Sequence, residues 1–513
     1  MYLFDRILSS SMIFDVYLML PLLCPNTISH NLYTLLLRYS SKILATTIEY
    51  PPGPSYRMRP FKLAREFLHD PIKTLQSISS KYGDISYFKL GRQHVYLINK
   101  PDYIEKVLVY DHGNFRKGTR LQIAKALLGE GLVTSEGDLH SRQRRIIQPI
   151  FHPRQIATYG KVMTDYASSL NQMWKDGATV DILKEMMHLT LSIICKSVLN
   201  YDVESETEEI DRALTISRNY SKRLQNPLGQ VLNKIPVLPN VKGARQARKK
   251  LDQLVYSLIK ERREGLESNA KNYDDLLARL IQAQDSTESE PTNNITGIST
   301  TGTATLTMSD TQVRDEVMTI FIAGHETTAN ALTWTFYLLS QNREVEKKLV
   351  DELESGFDIG DTPTVDDIPK LKFTEKVLRE SMRLYPPVWS LGRYVANDYA
   401  LDKYTMPAGS TIMMSQYLMH RDPRYYNEPD RFDPERWSSE AKSSLPRFSY
   451  FPFGGGIRAC IGESFAWMEG ILLIATISRQ WKMHLIPGHR VELDPGITLR
   501  AKYGMKMKLE RRK

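Results

Sequence analysis

Along most of the chain, apolar residues return every three to four positions, the spacing of helices that bury one face. The pattern predicts amphipathic helices over residues 60–80, 156–175, 180–199 and 241–265. A different period appears early. Residues 85–90 and 95–98 are rich in β-branched and aromatic side chains and flank Gly91-Arg92, which predicts a β-hairpin. The longest helical pattern covers residues 311–341 and would extend about 45 Å, enough to cross a whole domain. Its middle, residues 320–334, carries few charges and must be buried. Residues 226–240, with Pro227, Pro236 and Pro239, break the helical pattern. Residues 285–310 are rich in Ser, Thr, Asn and Gly and read as a mobile loop. Asn294-Ile295-Thr296 within it matches a glycosylation acceptor, a match common by chance.

Length and composition add the domain plan. The chain has 513 residues, of which 42% are hydrophobic, ample for a large core. No linker of Pro, Ser and Gly divides its middle and no repeat is evident. A single large domain over 51–513 is expected, behind an N-terminal extension, 1–50, with Pro51-Pro52-Gly53-Pro54 as a stiff hinge. Residues 16–37 are long enough to span a bilayer, but Pro21, Pro25, Asn26 and Asn31 interrupt them. Asp5 precedes the apolar part and no small-x-small cleavage site follows it, which argues against a signal peptide. The extension therefore reads as a peripheral, partly apolar segment suited to membrane contact. Three cysteines, Cys24, Cys195 and Cys460, give no disulfide framework and point to a chain that is cytoplasmic, or membrane-associated and facing a reducing compartment. The net charge of +9 is dispersed, without an aromatic-interleaved basic stripe, so nucleic acid is not an expected partner.

The chemistry concentrates around Cys460. It ends a glycine-rich loop and a helix-like run follows from Glu463. Unpaired backbone N–H groups at such a helix start favour a thiolate, which serves as nucleophile, redox centre or metal ligand. Gly454-x-Gly456-x-x-Ala459 also matches a loose dinucleotide fingerprint, but it follows Phe451-Pro452-Phe453 with no βαβ unit around it. On the long helix, His325-Glu326 begins a zinc-protease pattern, yet Ala329 stands where the second histidine is required.

Phe453, Gly456, Arg458, Cys460 and Gly462, at this spacing, resemble the haem-ligand loop of the cytochrome P-450 superfamily. The resemblance runs from about Pro51 to the C-terminus. It implies a mainly α fold, a triangular helical prism with a small β-rich side, and haem b between the long helix and the cysteine loop. Cys460 would then be the axial thiolate of the iron. Phe453 would pack beside the sulfur, Gly454 and Gly462 would let backbone approach the porphyrin, and Arg458 would pair with a propionate. Ala323-Gly324-His325-Glu326-Thr327 resembles the family's oxygen-activation motif. Thr327 would bond the Ala323 carbonyl and distort the helix, leaving a groove in which Glu326 and Thr327 relay protons. Glu380-x-x-Arg383 with Arg436 resembles the charge network that supports the cysteine loop. His140-x-x-x-Arg144 departs from the family's Trp-x-x-x-Arg but keeps its spacing, so His140, Arg144 and Arg393 are expected on the propionates. The expected substrate pocket includes Phe115, Ile322, Val388, Leu391 and Ile497, and draws on residues 226–240.

The function so implied is O₂-dependent hydroxylation or epoxidation of a small lipophilic substrate. The chain ends soon after Cys460, so NAD(P)H-derived electrons are expected from a separate ferredoxin, flavodoxin or reductase. An acidic carrier would meet Arg142 and Arg145. The alternatives are a peroxygenase or isomerase on the same fold, or a non-catalytic haem sensor or electron carrier. The intact Glu326-Thr327 pair favours the monooxygenase.

Overall fold

A computed structural model describes residues 49–54, 62–203, 206–224, 238–268, 275–282, 308–358 and 360–512. The expectations for residues 16–37 lie outside them, as do those for 226–237 and all but the last three residues of the 285–310 loop. By its contacts the chain divides into residues 51–399 with 406–513, and residues 1–50 with 400–405. In the second unit the described part is Glu49, Tyr50 and the hairpin tip 400–405, which turns at Asp402 with φ 55°. The rest of the description concerns the first unit.

The helix expected over 60–80 is two helices, α1 (Lys62–His69) and α2 (Pro71–Tyr82). Pro71 has no N–H with which to continue α1, and the Asp70 side chain caps α2 by accepting from Lys73 N at 3.0 Å. The hairpin is present as β1 (Ile85–Leu90) and β2 (Gln93–Ile98), with Leu90 opposite Gln93 and Gly91 at φ 62° in the turn. Strand β3 (Phe115–Lys117) follows, then helices α3 (Gly137–Ile147) and α4 (Pro153–Met173), strand β4 (Thr179–Asp181), and helices α5 (Ile182–Leu199), α6 (Thr207–Leu224) and α7 (Pro239–Glu267). Pro239, expected in a break, instead opens α7 as a first-turn proline. Next come α8 (Asp310–Gln341), α9 (Lys372–Leu384), β5 (Leu391–Val395), β6 (Tyr399–Leu401), β7 (Tyr404–Met406), β8 (Thr411–Met414), α10 (Glu463–Ser478), β9 (Trp481–Leu485), β10 (Leu493–Pro495), β11 (Leu499–Ala501) and β12 (Lys506–Arg511).

The strands form small sheets beside a helical body: β1-β2-β8-β5-β3, β4-β12-β9, and the pairs β10-β11 and β6-β7. Only β2-β8 is parallel within the largest sheet. Helices α5, α8 and α10 bury most of their circumference and form the centre of the core. Helix α8 starts with a capping box between Ser309 and Gln312 and runs unbroken for 32 residues. The expected bond from Thr327 to the Ala323 carbonyl falls inside this continuous helix. Gly324 serves close packing: a Cβ there would stand 2.9 Å from Ile194 Cγ1 on α5. The buried middle expected for α8 holds except along one stripe. Ala323 is exposed, while Ile322, Glu326 and Thr327 are half-buried. Among the described residues no helix is long and apolar enough to cross a membrane.

Candidate functional site

The cysteine loop is shaped by backbone that only glycine accommodates. Gly456 sits at φ 68°, and a Cβ there would lie 1.9 Å from the Leu108 carbonyl oxygen. Cys460 N–H donates to Phe453 O at 2.9 Å, and the Phe453 ring leans on Trp467 with centroids 5.8 Å apart. Gly462 ends the loop as the residue before α10. The sulfur-bearing residue is open to solvent on one side, yet surrounding protein pushes its thiol up to about 11. Burial is the main cause, opposed by the Gly462 N–H. The Gly462 N–H favours the thiolate, as expected, and burial outweighs it in the protein alone. A cation bound at the sulfur would be needed, as a metal ligand requires.

Basic groups gather on one side of this loop. Arg144 Nη1 on α3 donates to Ala459 O at 2.8 Å. Arg458 pairs with Glu136, Nη1 to Oε1 at 3.3 Å, and donates to Phe115 O at 3.2 Å. Arg393 on β5 is 7% exposed and donates to the Gly392 carbonyl. Leu391, two residues earlier, would lie 3.7 Å from a Cβ on Gly454, so β5 rests on the cysteine loop. Sequence reasoning missed Lys117 on β3, which is buried with Nζ on the carbonyls of Leu132 at 2.8 Å and Ser135 at 2.6 Å. A single inward-turned lysine on a three-residue strand leaves no periodic signal.

Burial and mutual repulsion act together on these groups. Arg393 is pulled down to about 10 by burial and then by Arg458. Lys117 falls to about 7, mainly by burial, with Arg458 and Arg393 adding to it. His140 falls to about 4 through burial, Lys117, Arg458 and Arg144, so its imidazole is neutral. The carboxylates that face Lys117 are Glu136 and Glu316, and burial raises Glu316 to about 8, which leaves it protonated at neutral pH. The cluster is therefore short of anions. Its donors fit the two carboxylates of a haem, with the cysteine as its protein ligand.

On α8, Thr327 Oγ1 donates to Ala323 O at 2.7 Å, as expected. Glu326 Oε1 accepts from Thr498 Oγ1 at 2.7 Å and lies 3.6 Å from Arg500 Nη1. Sequence reasoning missed both partners, which reach Glu326 from a strand end more than 170 positions away. His325 turns into the core: it is buried, and Nδ1 lies 2.7 Å from Phe321 O. Of the expected pocket residues, Ile322 shares the open stripe, Val388 and Leu391 are half-buried, and Ile497 is 40% exposed beside Thr498. Phe115 does not line a pocket. It is 2% exposed and packs edge-on against Tyr399, with centroids 4.8 Å apart, because its β3 side chain alternates inward.

Beneath the loop, the Glu380 carboxylate accepts from Arg383 Nε and Nη2, both at 2.8 Å, and from Arg436 Nε at 3.3 Å. Trp437 Nε1 and Asp433 N–H, each at 3.0 Å, add to it. A different acid, Glu469 on α10, is fully buried with neither oxygen partnered. Burial raises it to about 8. An unfolded chain would release this proton above about pH 4.5, whereas the native state holds it to about 8, so Glu469 destabilises the fold increasingly across that window. Glu469→Gln should leave stability unchanged near pH 5 and raise it by roughly 3 kcal/mol near pH 8. Denaturant unfolding at the two pH values measures this, and an equal effect at both would refute it.

Comparison with known proteins agrees with this geometry. The family model described as Cytochrome P450 matches residues 51–506. Cyclooctatin synthase of Streptomyces melanosporofaciens is 35% identical over 84% of this chain and 89% of its own length. Cyclooctat-9-en-7-ol 5-monooxygenase of the same organism is 34% identical over 82% of this chain and 86% of its own. Pentalenene oxygenase of Streptomyces avermitilis is 30% identical over 83% and 89%. With a glycine-shaped cysteine loop, an anion-poor basic cluster and the Glu326-Thr327 stripe on one chain, this protein belongs to the cytochrome P450 family of haem-thiolate monooxygenases.

Proposed function

We propose that this enzyme oxygenates a terpenoid-like lipophile, with electrons from NAD(P)H delivered by a separate redox protein. The observation that carries the reading is the open stripe on a helix otherwise buried, which presents Ala323, Glu326 and Thr327 together. The substrate class follows the relatives, whose names give cyclooctat-9-en-7-ol and pentalenene.

Haem held by Cys460 supplies the oxidising chemistry. Arg144, Arg393, Arg458, His140 and Lys117 would hold its propionates. Ala323, exposed on α8, would leave space for substrate and O₂. Thr327 commits its proton to the Ala323 carbonyl, which leaves its oxygen free to accept a hydrogen bond. Glu326 holds and moves a proton at its carboxylate, steadied by Thr498. Ile322, Val388, Leu391 and Ile497 keep the site apolar.

Glu326→Gln should lower O₂-dependent turnover by about 10²-fold, while substrate affinity, read from the haem spin state, stays within about two-fold. Unchanged turnover would remove Glu326 from the reaction. Faster turnover with peroxide alone than with O₂ and reductant would favour a peroxygenase.

The electron donor is assigned by charge. A surface cavity of about 810 Å³ beside α3 is lined by Arg144, Arg145, His152, Arg154 and Ile457. This face suits an acidic carrier. Reduction by an acidic ferredoxin should slow about ten-fold between low and moderately high salt, and Arg145→Glu should slow it further. A rate indifferent to salt would refute the assignment.

A further inference from the structure

Arg500, beside Glu326, and Arg218, beside the Asp494 that pairs with Arg500 across β10 and β11, make no hydrogen bond among the described residues. Arg500, on β11, approaches Glu326 no closer than 3.6 Å. Arg218, on α6, approaches Asp494 at 3.8 Å, and Asp494 is already taken by Lys222. Both separations exceed hydrogen-bond length. The Arg218 Nε is closed to solvent and has no partner, although the side chain as a whole is 27% exposed. The outer amino groups of Arg218 remain reachable by a ligand. Arg500 is only 13% exposed. Burial, and then Arg500, lower the pKa of Arg218, so each arginine feels the other.

A guanidinium carries five donors and no acceptor. Leaving these donors unused costs free energy unless a ligand or water fills them. The neighbouring charges indicate the kind of ligand. Arg218, Lys222 and Arg500 are balanced by Glu326, Asp494 and Asp211, whose charges all reach Arg218 or its partners. A carboxylate would add an uncompensated negative charge next to Glu326. An uncharged acceptor oxygen would not.

We propose that Arg218 and Arg500 form the polar end of the substrate pocket, which takes one alcohol or ketone oxygen on an otherwise apolar skeleton. This rests on the monooxygenase reading, and in particular on Glu326 facing the reaction. The carbon skeleton lies toward Ile322, Ala323 and Ile497, and the oxygen orients it by accepting from the two arginines. The reaction that supplies this substrate must then already have introduced an oxygen, by hydroxylation, hydration or capture of a carbocation by water. The enzyme adds a later one.

The test uses the ferric holoenzyme, after a reduced-CO spectrum has established thiolate ligation. Spin-state titrations compare abietadiene, abietadienol and abietic acid, which share one skeleton, and the linear series tetradecane, tetradecanol and tetradecanoic acid. The alcohol should bind at least about ten-fold tighter than its hydrocarbon, and tighter than its acid, in the series that fits. Arg218→Met keeps the apolar stem and should bring alcohol and hydrocarbon within about two-fold of each other, and Arg218→Lys should retain part of the preference. Equal binding of alcohol and hydrocarbon overturns the proposal, as does a preference that survives Arg218→Met, tightest binding of the acid, or failure of both series to bind. A normal CO spectrum with any of these outcomes leaves the haem-thiolate reading standing.

Discussion

Cys460→Ser will give a protein that folds and loses the red-shifted Soret band of a thiolate-ligated ferrous–CO haem. O₂-dependent turnover should fall below detection. The structure explains why no neighbour can substitute. Cys195, the other cysteine among the described residues, is buried in the core on α5, and burial pushes its thiol far above the ordinary range. A serine hydroxyl in the same place keeps the shape of the loop, since the Cys460 N–H to Phe453 O bond is made by backbone. It cannot supply comparable electron density to a metal, because an alkoxide is far harder to form than a thiolate. In the protein alone even the thiol is pushed up to about 11, so the ligand becomes anionic only when metal binding offsets the desolvation. Cys460→Ser should therefore be silent in unfolding of the haem-free protein and severe in the spectrum. Retention of the thiolate-type CO spectrum would show that another residue ligates the iron.

The contrast between loop and surroundings explains what the sequence could disclose. Cys460, Gly456 and Arg458 are legible because their types and spacing are dictated together by a close backbone turn. The long helix is legible because its apolar residues repeat without a proline for three tens of positions. The join between α1 and α2 was less visible because amphipathic spacing continues across Asp70-Pro71, and only the cap and the missing N–H separate them. Lys117, Glu136, Thr498 and Arg500 were not legible at all. Each enters the site from an element distant in sequence, and its type is ordinary for a surface. Phe115, expected in the substrate pocket, was misplaced for the same reason: a residue of a short strand has two faces to choose between, and only the packing of β3 decides. The helix-start argument for a thiolate names a real donor, the Gly462 N–H, but burial, which opposes it, is visible only once the chain is packed.

Arg383→Met is expected to be the most damaging change outside the haem ligand. Arg383 and Glu380 are both fully buried. Arg383 spends its remaining donors on the carbonyls of His420 at 2.8 Å, Pro429 at 2.6 Å and Arg431 at 3.0 Å. Methionine would leave those acceptors unmet and strand the Glu380 carboxylate with only Arg436, Trp437 and Asp433 N–H. Breaking a buried pair in this way costs about 3–5 kcal/mol, much of the stability of a typical domain. The damage also has a route to the cysteine. His420, held neutral by burial, accepts from Phe451 N–H at 3.0 Å through Nε2, and its ring is flanked by Tyr450 and Phe451. Two residues further on, Phe453 O receives the Cys460 N–H. Arg383 thus positions the loop through His420 and does not touch the reacting atoms. Arg436→Met should cost less, about 1–2 kcal/mol, because its contact with Glu380 is longer, at 3.3 Å, and its side chain is 14% exposed. Urea unfolding should rank the two in that order, and the rate of haem transfer to an acceptor apoprotein should rise more for Arg383→Met. If Arg383→Met retains haem as well as Arg436→Met does, the pair is only a local brace and the path through His420 carries no load to the cysteine loop.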